Sequence, residues 1–312
     1  MDDYFDQRRL AKVAEMYYLQ NLSQQEIAKQ FNISRPHVSR LLKRAREEEI
    51  VTVTIKSLYS HCLHLEEELK QKGKLKDCCV IPATRKNIKK LVGEAAADYL
   101  DKTIHSVNSI GVAWGTTLLG FALSIKKRFI PSKEVLPLVG GLSNQGMDIN
   151  TNEIVRLLGN AYNCSYYTLN APAIVENKEI RDAFLSSKNI HTILEKAREV
   201  DIAFVGISSM TPSSTLIKVN YLSLSEIEQL RKNGVVGGIC SRFFFEDGQP
   251  YKGDMDGRII GIDTHDLKKI PKVIALAVGN EKVPGIIGAI RGGYMDTLIT
   301  DELTAGWIIS SL

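Results

Sequence analysis

The sequence predicts an α/β protein in two parts: an N-terminal helix-turn-helix domain and a larger Rossmann-like domain built on a parallel sheet. Three observations predict it. The chain has 312 residues, comfortable for two domains at ~100–200 residues each. Its first fifty residues carry apolar positions at three-and-four spacing, punctuated by two helix-start signals. From Cys79 onward, apolar runs of four to seven residues alternate with helical periodicity, the pattern of a parallel sheet covered on both faces.

Composition sets the outer bounds. Hydrophobic residues make up 44% and charged residues 24%, with 23 Gly and 9 Pro, the profile of a soluble globular protein rather than a disordered or collagen-like one. The first nine residues mix Asp2, Asp3 and Asp6 with Arg8 and Arg9, so no basic-then-apolar leader stands there and export is not expected. No stretch approaches the ~18 apolar residues of a membrane span; even Ile270 to Gly279 carries Lys272. Five cysteines, an odd number without Cys-x-x-Cys spacing, fit a cytoplasmic, reducing location. His61, Cys62 and His64 beside an acidic helix read as surface and packing residues, so no metal is expected.

In the first helix, expected over Asp6 to Tyr18, one stripe joins Leu10, Val13, Ala14, Tyr17 and Tyr18. Ser23 with Glu26 three residues later is a capping box that opens a short helix over Gln24 to Phe31. Asn32 tolerates the left-handed turn that must follow. Ser34 then caps a third helix, with Pro36 at its second position, running to about Glu49. Ile27, Ala28 and Phe31 are set to face Ile33, Val38 and Leu41, the small shared core that a helix-turn-helix requires.

The outer face of that third helix presents Ser34, Arg35, His37, Ser39, Arg40, Lys43 and Arg44. Between Ser34 and Arg46 stand five cations, Arg35, Arg40, Lys43, Arg44 and Arg46, and no acid, against a net charge of +4 for the whole chain. A solvated basic face needs neither the caps nor the turn that precede it. The full pattern predicts double-stranded operator DNA as partner, with Arg35, His37 and Arg40 reading base edges and Lys43, Arg44 and Arg46 meeting phosphates. Val51, Val53 and Ile55 alternate with threonines, a strand over Ile50 to Ile55 that would form a wing and end the domain, residues 1–56.

Residues 57–75 are expected as an inter-domain linker helix ending near Gly73, with Leu63, Leu65 and Leu69 giving too little apolar surface to stand alone. Residues 76–312 form the second domain. Its strands are expected at Cys79 to Ile81, Ser109 to Ala113, Val135 to Val139, Tyr166 to Leu169, Ile202 to Ile207, Val235 to Ile239, Val273 to Val278 and Thr297 to Thr300. Helices are expected at Lys86 to Leu100, Thr117 to Ser124, Asn152 to Ala161, Ser225 to Asn233, Val283 to Arg291 and Glu302 to Ser311.

In such sheets ligands bind beyond the carboxyl ends of the strands. Trp114-Gly115-Thr116-Thr117 leads from a strand into a helix, offering backbone N–H groups, two hydroxyls and a helix N-terminus suited to phosphate. Gly140-Gly141-Leu142-Ser143 and Gly206-Ile207-Ser208-Ser209 repeat the logic, and Gly279-Asn280-Glu281-Lys282 adds an ammonium. Trp114 has two readings, a core or dimer aromatic and a platform for a sugar ring. No loop carries Gly-x-Gly-x-x-Gly, so no nicotinamide cofactor, and no other cofactor, is expected.

These residues resemble the SorC-type family of bacterial sugar-responsive transcription regulators along nearly the whole chain. The resemblance rests on Ser23-Gln24-Gln25-Glu26-Ile27-Ala28 with Ser39-Arg40-Leu41-Leu42, on Gly111 to Thr117, on Gly237-Gly238-Ile239-Cys240-Ser241-Arg242-Phe243-Phe244, and on Arg291 to Tyr294 through Thr300 to Ala305. It implies a DNA-binding domain joined to an effector domain similar to sugar-phosphate isomerases, a homo-oligomer, dimer or tetramer, and a phosphorylated sugar or polyol as effector. It places the effector's phosphate at Gly115, Thr116 and Thr117, with Gly140, Gly141 and Lys282 nearby and Trp114 against the ligand. Two departures stand out. Gly238 replaces the Asp usual in that stretch, leaving Asp254, Asp256 or Glu281 to supply a compensating carboxylate, and Val139 before Gly140 offers no lysine amine. The rival reading, a sugar-phosphate isomerase or deaminase with an appended DNA module, needs a positioned general base. Among the loops only Glu281 is a carboxylate, so a regulator rather than an enzyme is expected.

Overall fold

The computed structural model describes residues 2–52, 60–83, 87–141 and 149–312; the chain divides into two units, Met1–Ser57 and Leu58–Leu312. The first holds α1 (Asp2–Tyr18), α2 (Gln24–Phe31) and α3 (Arg35–Glu47). Both halves of the capping box form: the Ser23 N–H donates to Glu26 Oε2 at 2.8 Å and the Glu26 N–H to Ser23 Oγ at 3.3 Å. Asn32 is left-handed with φ 52, and Ser34 Oγ accepts the His37 N–H at 3.3 Å to open α3. Leu10, Val13 and Ala14 close over Ile27, Ala28, Val38, Leu41, Leu42 and Ala45, with Phe31 and Ile33 half-buried at the edge. Ile50 to Thr52 are irregular chain rather than the start of a wing strand, and the rest of that expected strand lies outside the described residues.

The second unit opens with α4 (Ser60–Gly73) and continues β1 (Asp77–Ile81), α5 (Ile88–Thr103), β2 (Ser109–Val112), α6 (Thr116–Ser124), β3 (Glu134–Pro137), α7 (Thr151–Tyr162) and β4 (Ser165–Tyr166). Then come α8 (Lys178–Ser186), α9 (Lys188–Arg198), β5 (Ile202–Ser209), α10 (Thr215–Lys218), α11 (Leu224–Lys232), β6 (Val235–Ile239) and β7 (Arg242–Phe245). The unit ends with α12 (Thr264–Leu267), β8 (Lys272–Leu276), α13 (Val283–Gly292), β9 (Thr297–Asp301) and α14 (Glu302–Ser311). Seven strands run parallel in the order β1-β9-β8-β5-β2-β3-β4.

The expected parallel sheet forms, and β5 also carries an antiparallel extension that the sequence does not predict. Strand β5 outruns its neighbours: Ile202 to Gly206 pair with β8, while Ile207 to Ser209 turn to an antiparallel partner in β6, which hairpins into β7. Cys240 and Ser241 make that turn with φ 48 and 62, the left-handed pair whose twist suits a two-residue hairpin. The central strands are buried on both faces, with Phe204 of β5 stacked on Phe121 of α6 at 4.4 Å between ring centroids. Helices α5 and α6 touch backbone to backbone at Gly93, where a Cβ would lie 2.6 Å from the Gly120 carbonyl carbon.

Helix α4, expected between the domains, is folded into the second unit. Cys62, Leu65 and Leu69 join the sheet's core, and Glu66 Oε1 accepts the Val80 N–H of β1 at 2.8 Å. Helices α8 and α9 were not expected from the sequence. The first buries no residue, and the second presents only the narrow stripe Ile190, Leu194 and Ala197, too little for periodicity to stand out.

Candidate functional site

On α3, Arg35, Ser39, Arg40 and Lys43 stand exposed and His37 is half-buried. Ser34 Oγ already serves as the cap, which leaves its hydroxyl proton to donate outward. Lys43 lies 3.6 Å from Glu47, an exposed pair that a phosphate can displace cheaply. Arg44 differs from its neighbours. Its guanidinium donates to Glu48 at 3.1 and 2.7 Å and to Asp6 of α1 at 2.8 Å, so it ties α3 to α1. Arg46 donates to the Tyr18 hydroxyl at 2.8 Å. The outer face therefore separates Arg35, His37, Ser39, Arg40 and Lys43 from two arginines engaged within the unit.

In the second unit a cavity opens beyond the carboxyl ends of β2, β5 and β8, the place where parallel sheets hold ligands. Trp114, Gly115, Thr116 and Thr117 line it after β2, Ser208 and Ser209 at the end of β5, and Glu281 and Lys282 after β8. Gly115 takes φ 140, which only glycine adopts readily, and no side chain caps α6. The Gly115 N–H donates to Ile149 O at 3.2 Å, so the donors left at this end of α6 are the amides of its first turn. Those amides and the helix dipole favour an anion.

Lys282 is half-buried. Burial, with Lys89 adding like charge, pushes its ammonium down to about 8, while Glu281 pulls the other way. The turn that holds it rests on α14: the Gly279 N–H donates to Thr304 Oγ1 at 2.9 Å, and that hydroxyl donates to Asp301. Asp301 also accepts the Leu303 and Thr304 N–H groups at 3.0 Å each, capping α14. The Thr300-to-Ala305 motif thus supports the lysine loop from behind. Trp114 packs edge-on to Tyr221 at 5.4 Å between ring centroids.

Gly140 and Gly141 do not line this cavity. Their N–H groups donate to Ile260 O at 2.9 Å and Ala171 O at 3.0 Å, and a Cβ on Gly140 would strike the Pro172 carbonyl. They let two chain segments pack; Leu142 and Ser143 lie outside the described residues. Of the candidate carboxylates only Glu281 is on the cavity wall, and Asp256 is bonded to Arg242 at 2.8 Å. Sequence reasoning missed Lys89, the segment from Ser213 to Lys218, and the hairpin turn Cys240-Ser241 as wall residues. The available signal was the hydroxyl density of Ser208, Ser209, Thr211, Ser213, Ser214 and Thr215 directly after a strand.

Burial pushes the Cys79 thiol up to about 11 and the Cys240 thiol up to about 12, so both are unreactive at neutral pH. Among the described residues no His, Cys, Asp and Glu cluster could hold a metal, and no helix is long and apolar enough to cross a membrane.

Residues 57–310 match the family model described as "Putative sugar-binding domain", and residues 8–48 one described as sigma-70, region 4. The chain is 30% identical over 311 residues to the sorbitol operon regulator of Klebsiella pneumoniae, covering 98% of each. It is 29% identical over 304 residues to the deoxyribonucleoside regulator of Bacillus subtilis, covering 96% of this chain and 97% of that one. The crystal structure of full-length SorC from Klebsiella pneumoniae matches with a TM-score of 0.76 at 29% identity, covering 99% of this chain and 100% of that one. A DeoR family transcriptional regulator from Listeria monocytogenes matches with a TM-score of 0.74 at 32% identity, over 79% of this chain and 98% of that one. With a helix-turn-helix at its start and a sugar-binding domain over most of its length, the chain belongs to the SorC-type family of transcriptional regulators.

Proposed function

We propose that this regulator controls a carbohydrate-catabolic operon in the cytoplasm, reading operator DNA with the exposed face of α3 and taking a small phosphorylated sugar or polyol in the cavity. The observation that carries the phosphate reading is the meeting, in one cavity, of the uncapped N-terminus of α6 with Lys282 and Lys89. An amide cluster with two cations suits a phosphate better than a neutral sugar. The names of the relatives, regulators of a sorbitol operon and of deoxyribonucleosides, support a sugar-derived effector. Effector and DNA are linked only if the effector binds two arrangements of the protein unequally.

Glu281 is the one carboxylate on the described cavity wall, thin provision for the acid–base work of an isomerase. Thermal shift of the full chain against aldose, ketose and polyol phosphates, with product analysis of each mixture, tests the assignment. A shift with the ligand recovered unchanged is expected. Turnover would make the protein an enzyme, and the absence of any shift would empty the cavity of its proposed role.

A further inference from the structure

Two hydroxyl groups in the cavity wall have no use that the fold explains. Ser214 is 3% exposed and Ser241 6% exposed; both line the cavity, and neither Oγ has a hydrogen-bond partner among the described residues. Buried hydroxyls are nearly always paired, because an unpaired one loses its water without replacement. Each serine also forgoes its ordinary local role. Ser214 is the N-cap of α10, where a serine Oγ usually accepts a backbone N–H, yet it makes no cap bond. Ser241 sits in the hairpin turn at φ 62, a position that glycine or asparagine fills with less strain.

The surrounding wall is rich in hydroxyls, and its charged groups are Lys89, Lys218, Lys282 and the single carboxylate Glu281. Ser209 Oγ, Thr211 Oγ1 and Ser213 Oγ form a chain with steps of 3.0 Å, and Ser208 Oγ donates to Gly238 O at 3.2 Å. A side chain at position 238 would begin 2.9 Å from that same Ser208 Oγ and from Phe243. Ser208 and Phe243 thus crowd the place where a carboxylate would start, and the unpaired groups stand on the neighbouring turns.

We propose that Ser214 and Ser241 form a hydroxyl-recognition subsite that takes the sugar or polyol end of the effector, while the α6 N-terminus and Lys282 take its phosphate. The subsite rests on the reading of this cavity as a sugar-phosphate site. A serine both donates and accepts, whereas a carboxylate only accepts, so the pair matches neighbouring ligand hydroxyls in either sense. It also discriminates: a deoxy analogue would leave a wall hydroxyl unpaired and bind more weakly.

The test uses the full chain and calorimetry with inorganic phosphate, pentose, hexose and hexitol monophosphates, and the same sugars without phosphate. The variants are Ser214→Ala and Ser241→Gly, the second keeping the left-handed turn without strain. Each should weaken the tightest sugar phosphate about tenfold or more, leave inorganic phosphate affinity unchanged, and in Ser241→Gly leave the Tm no lower than wild type. Unchanged sugar-phosphate affinity, or an equal loss for inorganic phosphate, overturns the subsite. If the wild type binds the sugars equally well without phosphate and the variants weaken that binding, the subsite stands and the phosphate reading falls. Binding of none of the sugars, phosphorylated or not, overturns both.

Discussion

Arg40 and Arg44 stand about one turn apart on the basic face of α3, and their surroundings give them different work. Arg44 is held by Glu48 and Asp6, while Arg40 is exposed and free to reach a base edge. Arg40→Ala should weaken operator binding by about 1–3 kcal/mol and relax sequence preference, measured by anisotropy on cognate and mutated sites. Lys43→Ala should weaken all sequences alike and flatten the salt dependence by about one unit of slope; a sequence-selective loss there would contradict its phosphate role. Lys282 predicts a pH dependence. Its folded pKa lies near 8, below the ordinary 10.5, so the cation is lost as pH rises through 8, and an anion beside it raises the pKa again. Affinity for a phosphorylated ligand should therefore fall above pH 8 with proton uptake on binding, and Lys282→Ala should abolish that slope. A flat profile in the wild type would remove Lys282 from the phosphate site. The contrast also marks what sequence can show at this scale. Ser23, Glu26, Asn32 and Ser34 act on neighbours within three residues and are legible in the sequence. The Arg44–Asp6 pair spans 38 positions and becomes visible only when α1 is laid against α3.

Local pattern likewise decides which elements were legible. Helix α2 and the start of α3 follow from two caps and a left-handed Asn32, and that turn can be tested. Asn32→Ala should destabilise the first unit by about 1–2 kcal/mol, with Asn32→Gly milder, as read by thermal denaturation; equal losses would mean that the Asn32 side chain rather than its φ matters. Strand β7 was illegible because Arg242-Phe243-Phe244-Phe245 does not alternate and its turn, Cys240-Ser241, carries neither Gly nor Asn. The same turn supplies part of the cavity wall, so the missed strand and the missed wall residues Cys240 and Ser241 have one cause. Strand β5 is legible over Ile202 to Ile207, but no one-dimensional pattern tells that it runs on to Ser209 by pairing with a new antiparallel partner. Helix α4 reads as a weak amphipathic helix from its sequence because its burial depends on β1 and α14. Since Leu69 is 0% exposed in the second unit's core, Leu69→Ala should cost that unit about 2–5 kcal/mol. A proline there would unfold the unit rather than merely loosen a tether.

At the scale of the whole molecule, one recognition helix covers too few base pairs to single out a genomic site, and two-fold pairing multiplies specificity. The protein should therefore bind as a dimer or a dimer of dimers on a roughly palindromic operator. Sedimentation of the protein–DNA complex with footprinting tests this, and tight binding of a monomer to one half-site would contradict it. The α3 face and the cavity belong to different units, so an effector should act by preferring one of two arrangements of the protein, and a ligand indifferent to the two would change nothing. The decisive measurement is operator affinity of the full chain, on a site selected from random sequence, with and without the phosphorylated sugar that binds it most tightly. It is made for wild type, Thr116→Val and Lys282→Ala. The account predicts that the sugar phosphate changes wild-type operator affinity by about fivefold or more, and that both variants keep wild-type DNA binding without ligand and lose the response. A sugar phosphate that saturates the cavity and leaves operator affinity untouched, or variants that respond as wild type does, would contradict it.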